Sequence, residues 1–85
     1  MAKKTVLGIL INNRVENAPP VQKVLTQFGC SIKTRLGLHE VDEKQCSTIG
    51  LILLELCGAE KDSLELEKQL RAIKGLQVQK MLFEV

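Results

Sequence analysis

The chain has no tryptophan and no tyrosine, and its aromatics are Phe28 and Phe83 alone. Nucleic-acid binding needs clustered lysine and arginine, and single strands need aromatic stacking platforms as well. A net charge of +2, with lysines interspersed among glutamates, supplies neither. Direct binding of DNA or RNA is therefore not expected. Histidine is almost missing too, since His39 stands alone. Cys30, Cys46 and Cys57 are odd in number, far apart, and include no Cys-x-x-Cys pair. That pattern signals neither a disulfide framework nor a zinc or iron–sulfur centre, so reduced thiols in a reducing compartment are expected. Catalytic signatures are lacking as well: there is no Ser-His-Asp or Cys-His set, no glycine-rich phosphate loop and no closely spaced carboxylate motif. The residues point to a protein that is not an enzyme and needs no cofactor.

Long apolar runs are absent. Met1-Ala2-Lys3-Lys4 is charged like the start of a signal peptide, but residues 6–11 form too short an apolar run and no small-residue cleavage site follows. No stretch approaches the roughly 18 apolar residues that cross a membrane. The expectation is a cytoplasmic protein.

What is present is ordinary globular composition, 45% apolar and 26% charged over 85 residues, enough for a single domain spanning residues 1–85. A chain this short buries only about 60–65% of its unfolded surface, so association with copies of itself would add stability.

Residues 4–12 read as a strand that is apolar on both faces, the pattern of a central strand. Asn17 reads as the N-cap of a helix with Pro19 and Pro20 in its first turn. Val21, Val24, Leu25 and Phe28 form its buried stripe, and Gly29 is placed to close it in a left-handed conformation. Residues 31–40 alternate cleanly and read as an edge strand, with Ile32, Thr34, Leu36 and Leu38 facing the core. Lys33, Arg35, Gly37 and His39 then face water, a ligand or a partner. After a polar hairpin connection over 41–47, residues 48–57 form the most hydrophobic strand, again apolar on both faces. Gly58 breaks it, and Asp62 with Glu65 reads as a capping box for a second helix. That helix buries Leu66, Leu70 and Ile73, carries a Glu67–Arg71 pair outside, and ends at Gly75; a last strand covers 76–85.

The order β-α-β-β-α-β is that of a ferredoxin-like α+β sandwich: a four-stranded antiparallel sheet in the order 4-1-3-2, with two helices on one face. Two central strands that are apolar on both sides leave a bare hydrophobic face, which predicts a homo-oligomer, a dimer packing sheet on sheet or a tetramer.

Several residues are candidates for contact with a small effector or a protein partner. Arg35, mid-strand among apolar neighbours, calls for a carboxylate: Glu55 of a neighbouring strand, another subunit or an anionic ligand. Asn12, Asn13 and Arg14 precede the first helix, where amides could hold an anion, although turn formation explains them equally well. Gly37 permits close approach of another backbone or relieves crowding. His39 and Cys46 could hold a transition metal across a subunit interface, with Glu40, Asp42 or Glu43; spacing alone equally allows an exposed histidine and a loop cysteine. Cys30 and Cys57 read as small apolar fillers near element ends. Small ferredoxin-like hydrolases of the acylphosphatase kind share the topology, but their arginine-bearing anion loop is missing around residues 12–17.

Phe28-Gly29, Arg35-Leu36-Gly37-Leu38 and the segment from Ile73 to Lys80 together resemble a family of small bacterial proteins, the iron-only hydrogenase system regulators. The resemblance spans nearly the whole chain. It implies an ACT-like regulatory domain, similar also to the C-terminal sensor domain of the nickel-responsive regulator, that oligomerises and binds small effectors at subunit interfaces. The chain departs from that pattern in having Glu67-Lys68-Gln69-Leu70 where many relatives carry Ser-Gly-Lys-Leu-Gly. It also lacks a ribbon-helix-helix arm, and one histidine does not reproduce a several-histidine nickel site.

Overall fold

A computed structural model describes residues 3–41 and 46–84. The elements follow as β1 (Lys3–Ile11), α1 (Arg14–Gln27), a 3-10 turn (Gly29–Ser31), β2 (Ile32–Val41), β3 (Cys46–Leu56), α2 (Glu60–Arg71) and β4 (Leu76–Glu84). The strands form one sheet in the order β2-β3-β1-β4, all neighbours antiparallel. This is the ferredoxin-like α+β fold expected from the order of elements. β1 and β3 are central, and β2 and β4 are the edges.

The core fills the gap between the sheet and its two helices. Leu7, Ile9 and Ile11 of β1, Ile52, Leu54 and Leu56 of β3, and Val78 of β4 point one way and meet Val21 and Leu25 of α1 and Leu66 and Leu70 of α2. Each such fully buried aliphatic side chain contributes about 1.5–3 kcal/mol. Val24, Phe28, Ile32, Ile73 and Leu76 close the margins. The predicted stripes of both helices are therefore the buried ones.

The helix boundaries differ from the sequence reading. α1 starts a turn early: Asn13, in extended conformation, is the N-cap, its side-chain oxygen accepting from the Glu16 amide at 3.4 Å. Asn17 instead donates its amide to the Asn13 carbonyl at 2.9 Å. Its side chain lies against the turn before β4, where a Cβ on Gly75 would come within 2.5 Å of the Asn17 Nδ2. Pro19 and Pro20 consequently lie inside the helix, in its second turn, and leave the carbonyls four residues earlier without their helical donors. Gly29 has no positive φ; α1 ends at Phe28 and passes directly into the 3-10 turn. The left-handed glycines are Gly58, at φ 82, and Gly75, at φ 89.

No side chain caps α2. Its N-cap is Ala59, whose carbonyl accepts from the amides of Asp62 and Ser63 at 3.1 and 3.2 Å, so the Asp62–Glu65 capping box does not form. Glu60 and Asp62 in the first turn and Lys68 and Arg71 in the last complement the helix dipole instead. Arg71 fastens α2 to the sheet: its Nε donates to Glu67 Oε2 at 2.9 Å and its Nη1 to the Val78 carbonyl at 2.8 Å. Lys80 reaches the other oxygen of Glu67 at 2.9 Å. Burial pushes the Glu67 pKa up, but the hydrogen bonds from Lys80 and Arg71 outweigh it and hold the group below its ordinary value.

Candidate functional site: the open sheet face and its edge strand

Both helices cover the same side of the sheet, and register decides what the other side carries. Across the antiparallel rungs Leu54 faces Leu7 and Ile52 faces Ile9, all on the helix side. The alternate residues, Val6, Gly8 and Leu10 of β1 and Leu51 and Leu53 of β3, belong to the uncovered side, paired with Gln77, Gln79 and Met81 of β4. Met81 and Phe83 are about half exposed, at 51% each, and Ile49 is exposed as well. Gly8 leaves a shallow notch of about 210 Å³ in the middle of this face, walled by Leu10, Leu51, Gln77 and Gln79.

β2 corrects the sequence reading most. A register shift separates Ile32, opposite Leu56, from Thr34, opposite Glu55, so Lys33 is an extra residue in the ladder. One inserted residue exchanges the two faces of everything beyond it. Ile32 packs on the core as predicted, but Thr34 and Leu36 then fall on the open face, Leu36 opposite Leu53 and 49% exposed. Arg35 and Gly37, opposite Leu54 and Ile52, fall on the helix side.

The bulge also explains why Arg35 and Glu55 are not partners. They stand on opposite sides of the sheet. The Arg35 guanidinium donates to the carboxamide oxygen of Gln22 on α1. Glu55 is served on the open side by Lys4 at 3.7 Å, Lys33 at 4.0 Å and the Thr34 hydroxyl at 3.3 Å. That cluster is the charged end of a face whose other described residues are apolar or amide.

The remaining candidates separate. Asn13 is occupied as a helix cap, while Asn12, at the end of β1, is exposed. Arg14 opens α1, and its side chain lies outside those described, as do the side chains of His39 and Cys46. The backbone sets His39 opposite Gly50, itself opposite Ile11, and Cys46 opposite Val41. His39 thus shares a rung with the strand end that leads to Asn12, two strands or about 10 Å away, whereas Arg35 is four residues or about 13 Å down β2. A Cβ at Gly37 would meet no described atom within 4 Å, so no close backbone approach occurs there within the chain. Residues 42–45, including Asp42 and Glu43, lie outside the described residues. Among the described residues no three His, Cys, Asp or Glu side chains cluster, and no helix is long and apolar enough to cross a membrane.

Cys30 and Cys57 are exposed rather than buried fillers. Sequence reasoning also missed Gln22 as the partner of Arg35, and Met81 and Phe83 as parts of the open face. The alternation Gln77, Gln79, Met81, Phe83 was the available signal for the latter.

The fold has clear counterparts. The chain superposes on the uncharacterized protein TM1266 from Thermotoga maritima with a TM-score of 0.80 at 24% identity, covering 98% of this chain and 100% of that one. It also matches CPII, a nitrogen regulatory PII-like protein from Thiomonas intermedia K12 whose structure holds ADP, AMP and bicarbonate. That match has a TM-score of 0.55 and 13% identity, over 99% of this chain and 96% of the other. A dimeric ferredoxin-like protein from an uncultured marine organism matches with a TM-score of 0.53 and 12% identity over 98% of this chain and 94% of its own. No family model and no curated protein sequence matches. At these identities the likeness establishes the ferredoxin-like fold.

Proposed function

We propose that this chain is a non-enzymatic regulatory domain that assembles through the open face of its sheet and responds to a small effector or a protein partner along β2. The observation that carries the reading is the uncovered apolar face. Val6, Leu10, Leu51 and Leu53 lie on it with no helix over them, and Leu36, Met81 and Phe83 beside them are each about half exposed. A second copy suits this face, because apart from the Lys4–Lys33–Glu55 cluster at one end its described residues are apolar or amide and offer a like surface no repelling charge. The exposed β2 edge gives a second surface through which dimers would pair into tetramers. A PII-like regulator and a dimeric protein among the structural neighbours support the regulatory and oligomeric reading.

The effector is expected near Arg35, Gly37 and His39, with the Asn12–Arg14 loop at the same end of the sheet as His39. Arg35 is the strongest of these, since its described bond is to a neutral, exposed amide that an anion would outcompete. The resemblance to the iron-only hydrogenase system regulators supplies the process to test, by asking whether the gene lies beside hydrogenase maturation genes. Sedimentation at micromolar concentration should show a dimer or tetramer, and a thermal-shift screen of amino acids, nucleotides and divalent metals should find a stabilising ligand. Monomer throughout, or no stabilisation by any compound, would remove the corresponding half of the reading. His39 and Cys46, which the hairpin carries on its paired strands, keep an interface metal sensor as the second reading. Elemental analysis of untagged protein tests it.

A further inference from the structure

Cys30 and Cys57 lie far apart in sequence, yet the fold brings them together where two turns meet. Cys57 follows β3, and its amide donates to the Ser31 carbonyl at 2.8 Å, extending the β2–β3 ladder by one rung into the 3-10 turn. Its thiol donates to the carbonyl oxygen of Cys30 at 3.6 Å. A carbonyl oxygen is about 2.4 Å from its own Cα by standard backbone dimensions, so the Cys57 sulfur is within about 6 Å of the Cys30 Cα. A disulfide needs Cα atoms about 4.4–6.8 Å apart, and bridging this pair would require a rotation of the Cys30 side chain with a shift of the turn. Both cysteines are exposed. Cys57 also lines a cleft of about 560 Å³ whose walls include Lys3, Thr5, Glu60 and Ser63 and whose floor includes Leu56 and Leu82. A small disulfide can approach it there, on the helix-bearing side of the sheet.

We propose that Cys30 and Cys57 form a reversible dithiol–disulfide site, oxidised by low-molecular-weight disulfides of the glutathione class. The Cys57 sulfur, as thiolate, attacks one sulfur of the small disulfide. A bond forms between Cys57 and that half, the small S–S bond breaks, and the other half leaves as a thiol, taking up the proton Cys57 gave to solvent. Cys30 then attacks the Cys57 sulfur, forming the protein bridge and releasing the second half as a thiol. Two protein thiols are oxidised and one small disulfide is reduced to two thiols. The bridge ties the turn that leads into β2 to the turn that leads into α2, and encloses the whole β2–β3 hairpin.

The test uses the full chain carrying Cys46→Ser, so that only the proposed pair can react, equilibrated in a series of oxidised-to-reduced glutathione ratios and quenched with an alkylating agent. Intact mass should fall by two hydrogens with no glutathione retained, and peptide mapping should join residues 30 and 57. Further substitution of Cys30→Ser should convert this product into a lasting glutathione adduct on Cys57. Melting of the bridged chain should rise by roughly 10 °C and return to its starting value on reduction. Adducts without a 30–57 bridge at any ratio, a bridge formed only in denaturant, or a bridged chain melting no higher than the reduced one would each overturn the proposal.

Discussion

Replacing Leu36 with aspartate tests assembly and the face reversal in β2 together. In the structure Leu36 sits on an edge strand, opposite Leu53 on the open face, with 49% of its surface still accessible. Full burial of a leucine contributes about 1.5–3 kcal/mol, so covering the exposed half is worth about 1 kcal/mol per protomer and about 2 kcal/mol in a two-fold dimer that changes at both copies. The introduced carboxylates must also be desolvated against an apolar partner, a penalty of several kcal/mol even after relaxation. Dissociation should therefore become easier by at least about 4 kcal/mol, on the order of a thousandfold in the dimer constant. The isolated fold should lose only about 1 kcal/mol, since an exposed edge position feels little beyond strand propensity. Sedimentation velocity over a concentration series, with circular dichroism as the check on folding, reads both quantities. Leu64→Asp is the control: Leu64 is as exposed, at 50%, but lies on α2, on the helix-bearing side. It should leave assembly unchanged. A folded Leu36→Asp chain that sediments like the parent would refute the open-face interface. An unfolded one would mean that Leu36 belongs to the core after all.

Three further perturbations test the frame. Gly75→Ala places a side chain at φ 89 and drives its Cβ to 2.5 Å from Asn17; a loss of about 2 kcal/mol, read as a lowered melting temperature, is expected from the left-handed backbone and the collision together. Leu66→Ala empties a fully buried position on the core face of α2 and should cost about 2–5 kcal/mol in denaturant titration, with an unchanged far-ultraviolet spectrum in the absence of denaturant. Glu67→Gln weakens the Arg71 and Lys80 pairs, for about 1 kcal/mol at neutral pH. The Glu67 pKa is lowered in the folded chain, so its contribution is present above the unfolded carboxylate value and lost as pH falls through the folded one. The stability difference between parent and variant should accordingly shrink in acid, and a constant difference from neutral pH down to acid would contradict the assignment.

Element order, sheet order and the buried helix stripes were legible because they rest on periodicity. Val21, Leu25, Leu66 and Leu70 repeat at helical spacing, and no competing pattern covers them. Boundaries were less legible because they rest on which of several polar residues wins a cap. Asn13 and Asn17 are both able, and Asn13 caps while the Asn17 side chain lies against the Gly75 turn, a neighbour far away in sequence. Asp62 was a suitable cap in the abstract, but Gly58, with its positive φ, redirects the chain early enough for α2 to start at Glu60.

The facing of the β2 residues failed to show in the sequence for a narrower reason. Residues 32–39 alternate without a flaw, so nothing local marks the extra residue at Lys33. The bulge exists because Ile32 must stay on the core beside Leu56 while Leu36 gains more opposite Leu53 on the open face than a polar residue would. With one register, Ile32 and Leu36 would share a side; the inserted residue lets each join its own apolar neighbours. Arg35 is then carried over to α1 and Glu55 is left to the lysines. The two proposed activities of β2 therefore occupy opposite sides of one strand: assembly through Leu36, and effector contact through Arg35. A ligand that draws Arg35 away from Gln22 acts on the strand that also carries part of the interface, so effector binding and assembly should be coupled through the bulge at Lys33.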